Sequence, residues 1–571
     1  MAESILSPGV FARENDLSFT TEVAVEAGAA IIGPTVKGPV EIPTLVTSYS
    51  DYKNRFGDKI KSGSQYYSYF TSLAVENYFN NGGTSVLVTR VVSGSYTSAV
   101  STAVSNSLDQ TAFVLETLSE GEDQNSISTE VSGTLPSGSI DNLRWEIVGA
   151  DTGSGTFNLL IRRGDDSSLR GKIILETWAN LSLDPNQNNY ISKVIGDYKF
   201  GKITDGNDVT IGLVTGSYPN VSRYVRVKSV NTLTLDYFDN AGDPKPEYTA
   251  SIPINASGSF ENATGVLSTS STFYQNGTSG TEAQGIPAGG YTDAIKILRN
   301  KDQYNFNIIT VPGLVKANST FSSVITDVVN LAQDRGDCFF PVDLTNWANP
   351  TVSSAVIQAQ TFDTNYAAAY WPWVQIPDNA IGQNVWVPAS VVIPGVYAFN
   401  DQQAAPWFAP AGINRGGLGS VIRTQINLNK NQRDTLYNGK INPLATFPGQ
   451  GVTVFGQKTL QKKASALDRV NVRRLLIELK GFIGSQSRRL VFEQNTTRTR
   501  NQFLSIVNPY LESVQQRQGL FAFKVVMDDS NNTPDVIDRN ELVGQIYLQP
   551  TRTAEYIILD FNIQPTGTTF E

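Results

Sequence analysis

The residue types that do chemistry in most enzymes are nearly missing from this chain. Its 571 residues include no histidine and one cysteine, Cys338. Ser-His-Asp and Cys-His nucleophilic catalysis are therefore excluded, as are histidine metal sites and four-cysteine zinc sites. Carboxylate or lysine chemistry is what remains, for example the paired acids of a glycosidase. Three strings invite closer reading. Gly451-Val-Thr-Val-Phe-Gly456-Gln-Lys458-Thr459 approaches a Walker A loop, but Gln457 separates the second glycine from the lysine, and Val452, Val454 and Phe455 suit a strand better than a phosphate cradle. Asn414-Arg-Gly-Gly-Leu-Gly-Ser420 lacks the spacing of a dinucleotide fingerprint. Asp528, Ser530 and Asn532 alternate like calcium ligands, yet the sixth position is Thr533 and the twelfth Arg539, where glycine and glutamate are needed. A polar hairpin is the simpler reading. Tyr366, Tyr370, Trp371 and Trp373 could line a sugar site, but are expected to pack in a core or interface. Cys338, within Asp-Cys-Phe-Phe-Pro-Val, reads as a buried thiol. No catalytic, cofactor or metal residue is assigned.

Composition bounds the rest. Hydrophobic residues make up 40% of the chain, enough for several cores, and the length suits roughly three domains. No apolar run of about 18 residues exists, so no membrane insertion is expected. The first residues lack the basic and apolar regions of a secretory signal. The absence of disulfide partners fits assembly in a reducing cytoplasm. Net charge is −9, which disfavours sequence-specific nucleic-acid binding, but residues 469–519 hold nine Lys/Arg against three Glu, a local balance of +6.

The elements that would position these groups follow from periodicity. Residues 1–25 hold too few apolar residues to pack alone and read as an arm. Residues 29–92 read as strand, helix and strand, the start of an α/β domain. From 93 to 290 Ser, Thr, Gly and Asn dominate and turns come every ten or so residues, which predicts a β-rich insertion. It is expected to face outward, and 196–290 to be dispensable. From 291 the α/β rhythm resumes, with strands at 304–311, 338–342 and 367–374 and helices at 321–331 and 352–359. Residues 26–92 and 291–412 would form one discontinuous α/β domain, and 413–571 a closing α+β domain. In the latter, apolar residues at helical spacing predict helices over 468–483 and 503–514, the second interrupted at Asn508-Pro509. Strands are predicted at 520–527, 542–548 and 556–563, the last alternating Ile557, Leu559, Phe561 and Ile563 with Tyr556, Ile558, Asp560 and Asn562.

Several longer strings carry a resemblance. Residues 441–460 (INPLATFPGQGVTVFGQKTL), then VNVRRL at 470–475 and NTPDVIDRNELV at 532–543, resemble the C-terminal domain of contractile tail sheath proteins. Ser7-Pro-Gly-Val-Phe-Ala-Arg-Glu14, residues 29–40, 176–195, 392–401 and 405–413 are similar to other parts of that family. The resemblance implies a structural virion-tail subunit of a phage or phage-like injection system, with no enzyme activity and no cofactor. Many copies would stack as a helical sleeve around an inner tail tube protein and contract to drive it through a target envelope, with baseplate and tail terminator proteins at the sleeve ends. It also implies a central domain of subtilisin-type fold, non-catalytic here. Arg473, Arg474, Arg488 and Arg489 are the candidates for touching the tube. Pro8, Gly9, Val10, Phe11, Ala12 and Arg13, with Ile557, Leu559, Phe561 and Ile563, are the candidates for joining a neighbour's sheet at strands such as 542–548. A polar β-rich adhesin or baseplate-type component is the alternative.

Overall fold

The computed structural model describes residues 25–62, 65–126, 139–166, 171–267 and 280–555. Three parallel strands form the heart of the central unit: Tyr304–Thr310, Val25–Gly33 and Val86–Arg90, with Thr44–Val46 added antiparallel at one edge. Val86–Arg90 is buried at every position, as expected of a parallel strand covered on both faces. Helix Phe70–Asn80 makes the crossover between Val25–Gly33 and Val86–Arg90 and is buried along almost its whole length. It lies against helix Ala389–Gln403 at Gly395, where a Cβ would come within 2.4 Å of the Asn77 amide oxygen. A side chain there would push the two helices apart.

A second run of strands continues this sheet. Phe340–Val342, Ala367–Trp371 and Ile441–Phe447 are parallel, and Gly451–Val454 closes the edge antiparallel. The bridge between Ile308 and Phe339 joins the two runs. Strands Ile441–Phe447 and Gly451–Val454 thus complete the central sheet, although the sequence reading places them beyond 413 in the closing domain. Backbone pairing of Ala369 with Ile441 is what recruits them, and nothing local in the sequence encodes that partner.

In the chain between strands Val86–Arg90 and Tyr304–Thr310 lies a separate sheet in the order Ile174–Ser182, Thr156–Arg163, Leu143–Asp151, Ala256–Glu261, Ser98–Ser101, Thr111–Glu120 and Val225–Val230, with Val104–Ser105 also on Thr111–Glu120. Trp145, Phe113, Phe157, Leu159, Ile161 and Phe260 fill its own core. A buried ion network, Arg162 to Asp166 at 2.8 Å and to Glu146 at 3.1 Å, with Arg144 to Asp166 at 3.2 Å, crosses its strands. The expectation that 196–290 is dispensable is corrected by this topology. Ala256–Glu261 is an interior strand, and hairpin Lys199–Asp205 with Asp208–Thr215 places Val209 in the main core beside helix Thr292–Ile297.

Candidate assembly interface

The closing part of the chain is built on two helices and a hairpin. Helix Val470–Ser487 buries Val472, Leu475 and Leu479. Helix Thr497–Gln516 starts at Thr496, whose hydroxyl accepts from the Thr499 N–H, and buries Phe503, Val507, Leu511 and Val514 at helical spacing. Of the kink or restart expected at Asn508-Pro509, the restart does not occur, since one helix runs through it. Proline removes one N–H donor, but Val507, Leu511 and Val514 hold both halves on one core. Trp407 locks this unit to the preceding chain: its indole N–H donates to the Arg517 carbonyl at 3.0 Å, and its own carbonyl accepts from Asn471 at 3.2 Å.

Strands Leu520–Val526 and Gln545–Pro550 form an antiparallel hairpin, and among the described residues no third strand joins either edge. The expected strand at 542–548 is therefore shifted by three residues at its start. Phe523, Val525, Ile546 and Leu548 face the helices, while Phe521 and Tyr547 stay 75% and 56% exposed. The loop between the strands turns on itself: Asp528 accepts from the Ser530 N–H at 2.9 Å and buried Asn532 accepts from the Val543 N–H at 2.9 Å. No cluster of three potential metal ligands occurs among the described residues.

The four candidate arginines separate into two pairs. Arg474 is 4% exposed, donates to Asp401 at 2.8 Å, and lies 4.7 Å from the Tyr397 ring centre. Arg473 is equally buried and stacks 4.1 Å from the Tyr366 ring centre. These two are corrected as contact candidates, because as placed they fasten the helix to the central unit and present no charge outward. Arg488 and Arg489 are exposed. Arg488 pairs with Asp302 at 2.9 Å, both well solvated, which contributes little to stability. The strand candidates Pro8, Gly9, Val10, Phe11, Ala12 and Arg13, and Ile557, Leu559, Phe561 and Ile563, lie outside the described residues.

The enzyme-like strings are absorbed by structure. Gly451–Val454 is a paired strand. Trp371 and Trp373 both donate to Thr345, at 2.9 Å each, and Tyr370 shares a hydrogen bond with Tyr397 at 2.6 Å, so the aromatic cluster is core. Cys338 is fully buried and its thiol is pushed well up by burial. A feature not foreseen from sequence is a set of donors around Glu555. Arg469 donates to it at 2.6 and 3.0 Å, Tyr437 at 2.7 Å and Gln457 at 3.2 Å. Burial alone would raise this carboxyl, but the guanidinium and phenol outweigh that and hold it below its usual range. The residues involved lie about a hundred positions apart, so no local pattern could have revealed them.

Family matches move one boundary of the sequence reading, because residues 441–460, which it likens to the sheath C-terminal domain, fall within the central-domain match. Residues 284–460 match the phage tail sheath protein central domain, and 462–564 the phage tail sheath C-terminal domain. The tail sheath protein of Vibrio phage KVP40 is 39% identical over 222 residues, covering 39% of this chain and 33% of that protein. That of Enterobacteria phage T4 is 36% identical over 269 residues, covering 44% and 41%. The matched stretches thus span a third to two-fifths of these relatives. A sheath tail protein from Listeria innocua shares the mixed α/β fold, with a TM-score of 0.52 at 11% identity over 92% of this chain and 96% of that one. Residues 284–460 and 462–564 of this chain thus carry the two domains of the phage tail sheath family, central and C-terminal, one directly after the other.

Proposed function

We propose that this protein is the sheath subunit of a contractile tail, stacking as a helical sleeve around an inner tube and shortening to drive that tube through a target envelope. The observation that carries the reading is the two-stranded hairpin, which among the described residues has no further strand on either edge and lies within the segment that matches the sheath C-terminal domain. Unpaired N–H and C=O groups along a strand edge must be covered or used, and in a polymer a neighbour's segment can complete the sheet. Residues 8–13 and the alternating stretch with Ile557, Leu559, Phe561 and Ile563 are the segments assigned to that role. Backbone pairing tolerates side-chain change and keeps copies linked while their bodies rotate. The tube is assigned to Arg488 and Arg489, and the sleeve ends to baseplate and terminator proteins. In this reading 1–25 is the connecting arm, 26–92 with 291–412 is the non-catalytic body, joined in its sheet by strands Ile441–Phe447 and Gly451–Val454, 93–290 is the outward-facing insertion, and the rest of 413–571 carries assembly. Extended sleeves store free energy in subunit contacts, so contraction needs no cofactor.

Electron microscopy of the concentrated protein tests this: long tubes are expected, and their absence counts against it. A chain lacking residues 1–14 should remain a folded monomer that cannot polymerise. Full-length sleeves from that variant would reject the strand-exchange mechanism.

A further inference from the structure

The hairpin is not fastened where it ends. Among the described residues its strand Gln545–Pro550 pairs with Leu520–Val526 alone, and the Thr551 N–H adds one bond to the Gly519 carbonyl. Four residues later the chain meets the donors around Glu555. They come from elsewhere: Tyr437 from helix Lys430–Asn438, Gln457 from the segment after strand Gly451–Val454, and Arg469 from the head of helix Val470–Ser487. Gln457 also donates to the Thr553 hydroxyl at 2.5 Å, so the clamp grips two positions of the passing chain. Glu555 and Arg469 keep only 17% and 26% side-chain exposure, which shields the pair from competing water. An isolated two-stranded sheet is marginal on its own, and Phe521 and Tyr547 show how little of its outer face is packed.

We infer that the Glu555 clamp is a mechanical stop. Tension entering through the residues after 555 is delivered to the central sheet by Arg469, Tyr437 and Gln457, and the hairpin is spared. Without the clamp that tension would open the bonds of Gln545–Pro550 one after another from its end. With it, several charge-assisted bonds to one carboxylate must break together, and these are the stronger kind. The assigned role of the chain end under Proposed function says where such tension would come from; the clamp itself is a property of the single chain.

Full-length protein held by its two ends in an optical trap tests this, comparing wild type with Glu555→Ala and with Tyr437→Phe, which removes a single donor and spares the fold. The first rupture should move to clearly lower force in Glu555→Ala and by less in Tyr437→Phe, with the added length expected from opening the hairpin. A second geometry places the handle on exposed residue 540 as Asn540→Cys, so that tension bypasses the clamp. There the Glu555→Ala change should leave the first rupture unaltered. An unchanged rupture force in the first geometry, or an equal fall in both, overturns the inference, since a merely stabilising contact would weaken both directions alike. Wild-type protein that fails to form sleeves would sink the sheath reading and leave this result standing.

Discussion

The sheet of the insertion and the hairpin near the chain end are both antiparallel, but they treat their surroundings in opposite ways. The insertion builds a broad sheet: eight strands, an aromatic core with Phe113 and Phe157 stacked at 5.6 Å, and carboxylates answered by arginines across the strands. The hairpin has two strands, one packed face and no further strand among the described residues on either edge. Among the described residues the inner strands of the insertion are flanked on both sides and its outermost two, Ile174–Ser182 and Val225–Val230, keep a bare edge, whereas both strands of the hairpin do. The contrast can be broken at several points, beginning where the effect on the folded chain is greatest.

Replacing residues 196–290 with a short Gly/Ser linker should abolish soluble folded protein. That cut removes Ala256–Glu261 from between Leu143–Asp151 and Ser98–Ser101, strips Val225–Val230 from the edge, and takes Val209 from the main core. Circular dichroism and size-exclusion chromatography read the outcome. A cooperative, monodisperse variant would mean that neither the interior strand Ala256–Glu261 nor Val209 is needed for folding.

Arg474→Ala should come next. The guanidinium is buried and bidentate to Asp401 at the end of helix Ala389–Gln403, so its loss leaves a carboxylate unanswered at the junction of the two units. The cost should be on the order of 2–3 kcal/mol, below the usual figure for a fully enclosed pair because Asp401 keeps 26% exposure. Chemical denaturation measures it. A change within about 0.5 kcal/mol, the range of ordinary surface substitutions, would place Arg474 with the solvated arginines.

How much of this contrast was legible in the sequence depends on how local its causes are. Helix Val352–Ala359 and strand Tyr304–Thr310 were readable because burial imposes a period on consecutive residues. So was the β-rich character of the insertion. The partners of its strands were not: Ala-Ser-Gly-Ser-Phe-Glu at 256–261 is short, small and polar, and only its pairing with strands over a hundred residues away makes it interior. The same limit hid Arg473 and Arg474. On a helix they sit between apolar positions like any solvated pair, and only the approach of Tyr366, Tyr397 and Asp401 from the central unit buries them. The central sheet's claim on Ile441–Phe447 was invisible for that reason as well.

In the central sheet a carboxylate is buried with no arginine opposite it: Asp343, directly after strand Phe340–Val342, meets Ser390. Its carboxyl is fully enclosed and pushed up to about 7 by burial, against the opposing pull of the Ser390 hydroxyl and N–H, which meet it at the start of helix Ala389–Gln403. In the unfolded chain the group titrates near 4. Between those values the native state binds the proton more tightly, so the contribution is complete below about pH 4 and is lost as pH rises through about 7. Asp343→Asn should flatten that part of the stability profile, with its largest gain over the parent near and above neutrality. Denaturation midpoints from pH 4 to 8 check it, and an unaltered slope would mean that Asp343 remains ionised throughout.

The smallest effect on the folded chain, and the most telling for assembly, belongs to Arg488→Glu with Arg489→Glu. Both side chains are exposed, and the pair of Arg488 with Asp302 is solvated on both sides, so the melting temperature of the monomer should hardly move. The double reversal changes the local balance of residues 469–519 from +6 to +2, by four charges. A concentric interface uses opposite charge mainly to steer encounter and fix register, and less to add affinity. The variant should therefore nucleate slowly on tubes and give short or irregular sleeves, with the defect largest at low salt, where charges are least screened. Sleeve length and yield on purified tubes, measured at two ionic strengths, give the answer. Normal sleeves at both would show that the basic turn is a solvated face and nothing more. A defect that grows with added salt would point to lost packing, and the tube contact would then have to be sought among uncharged residues of the same two helices.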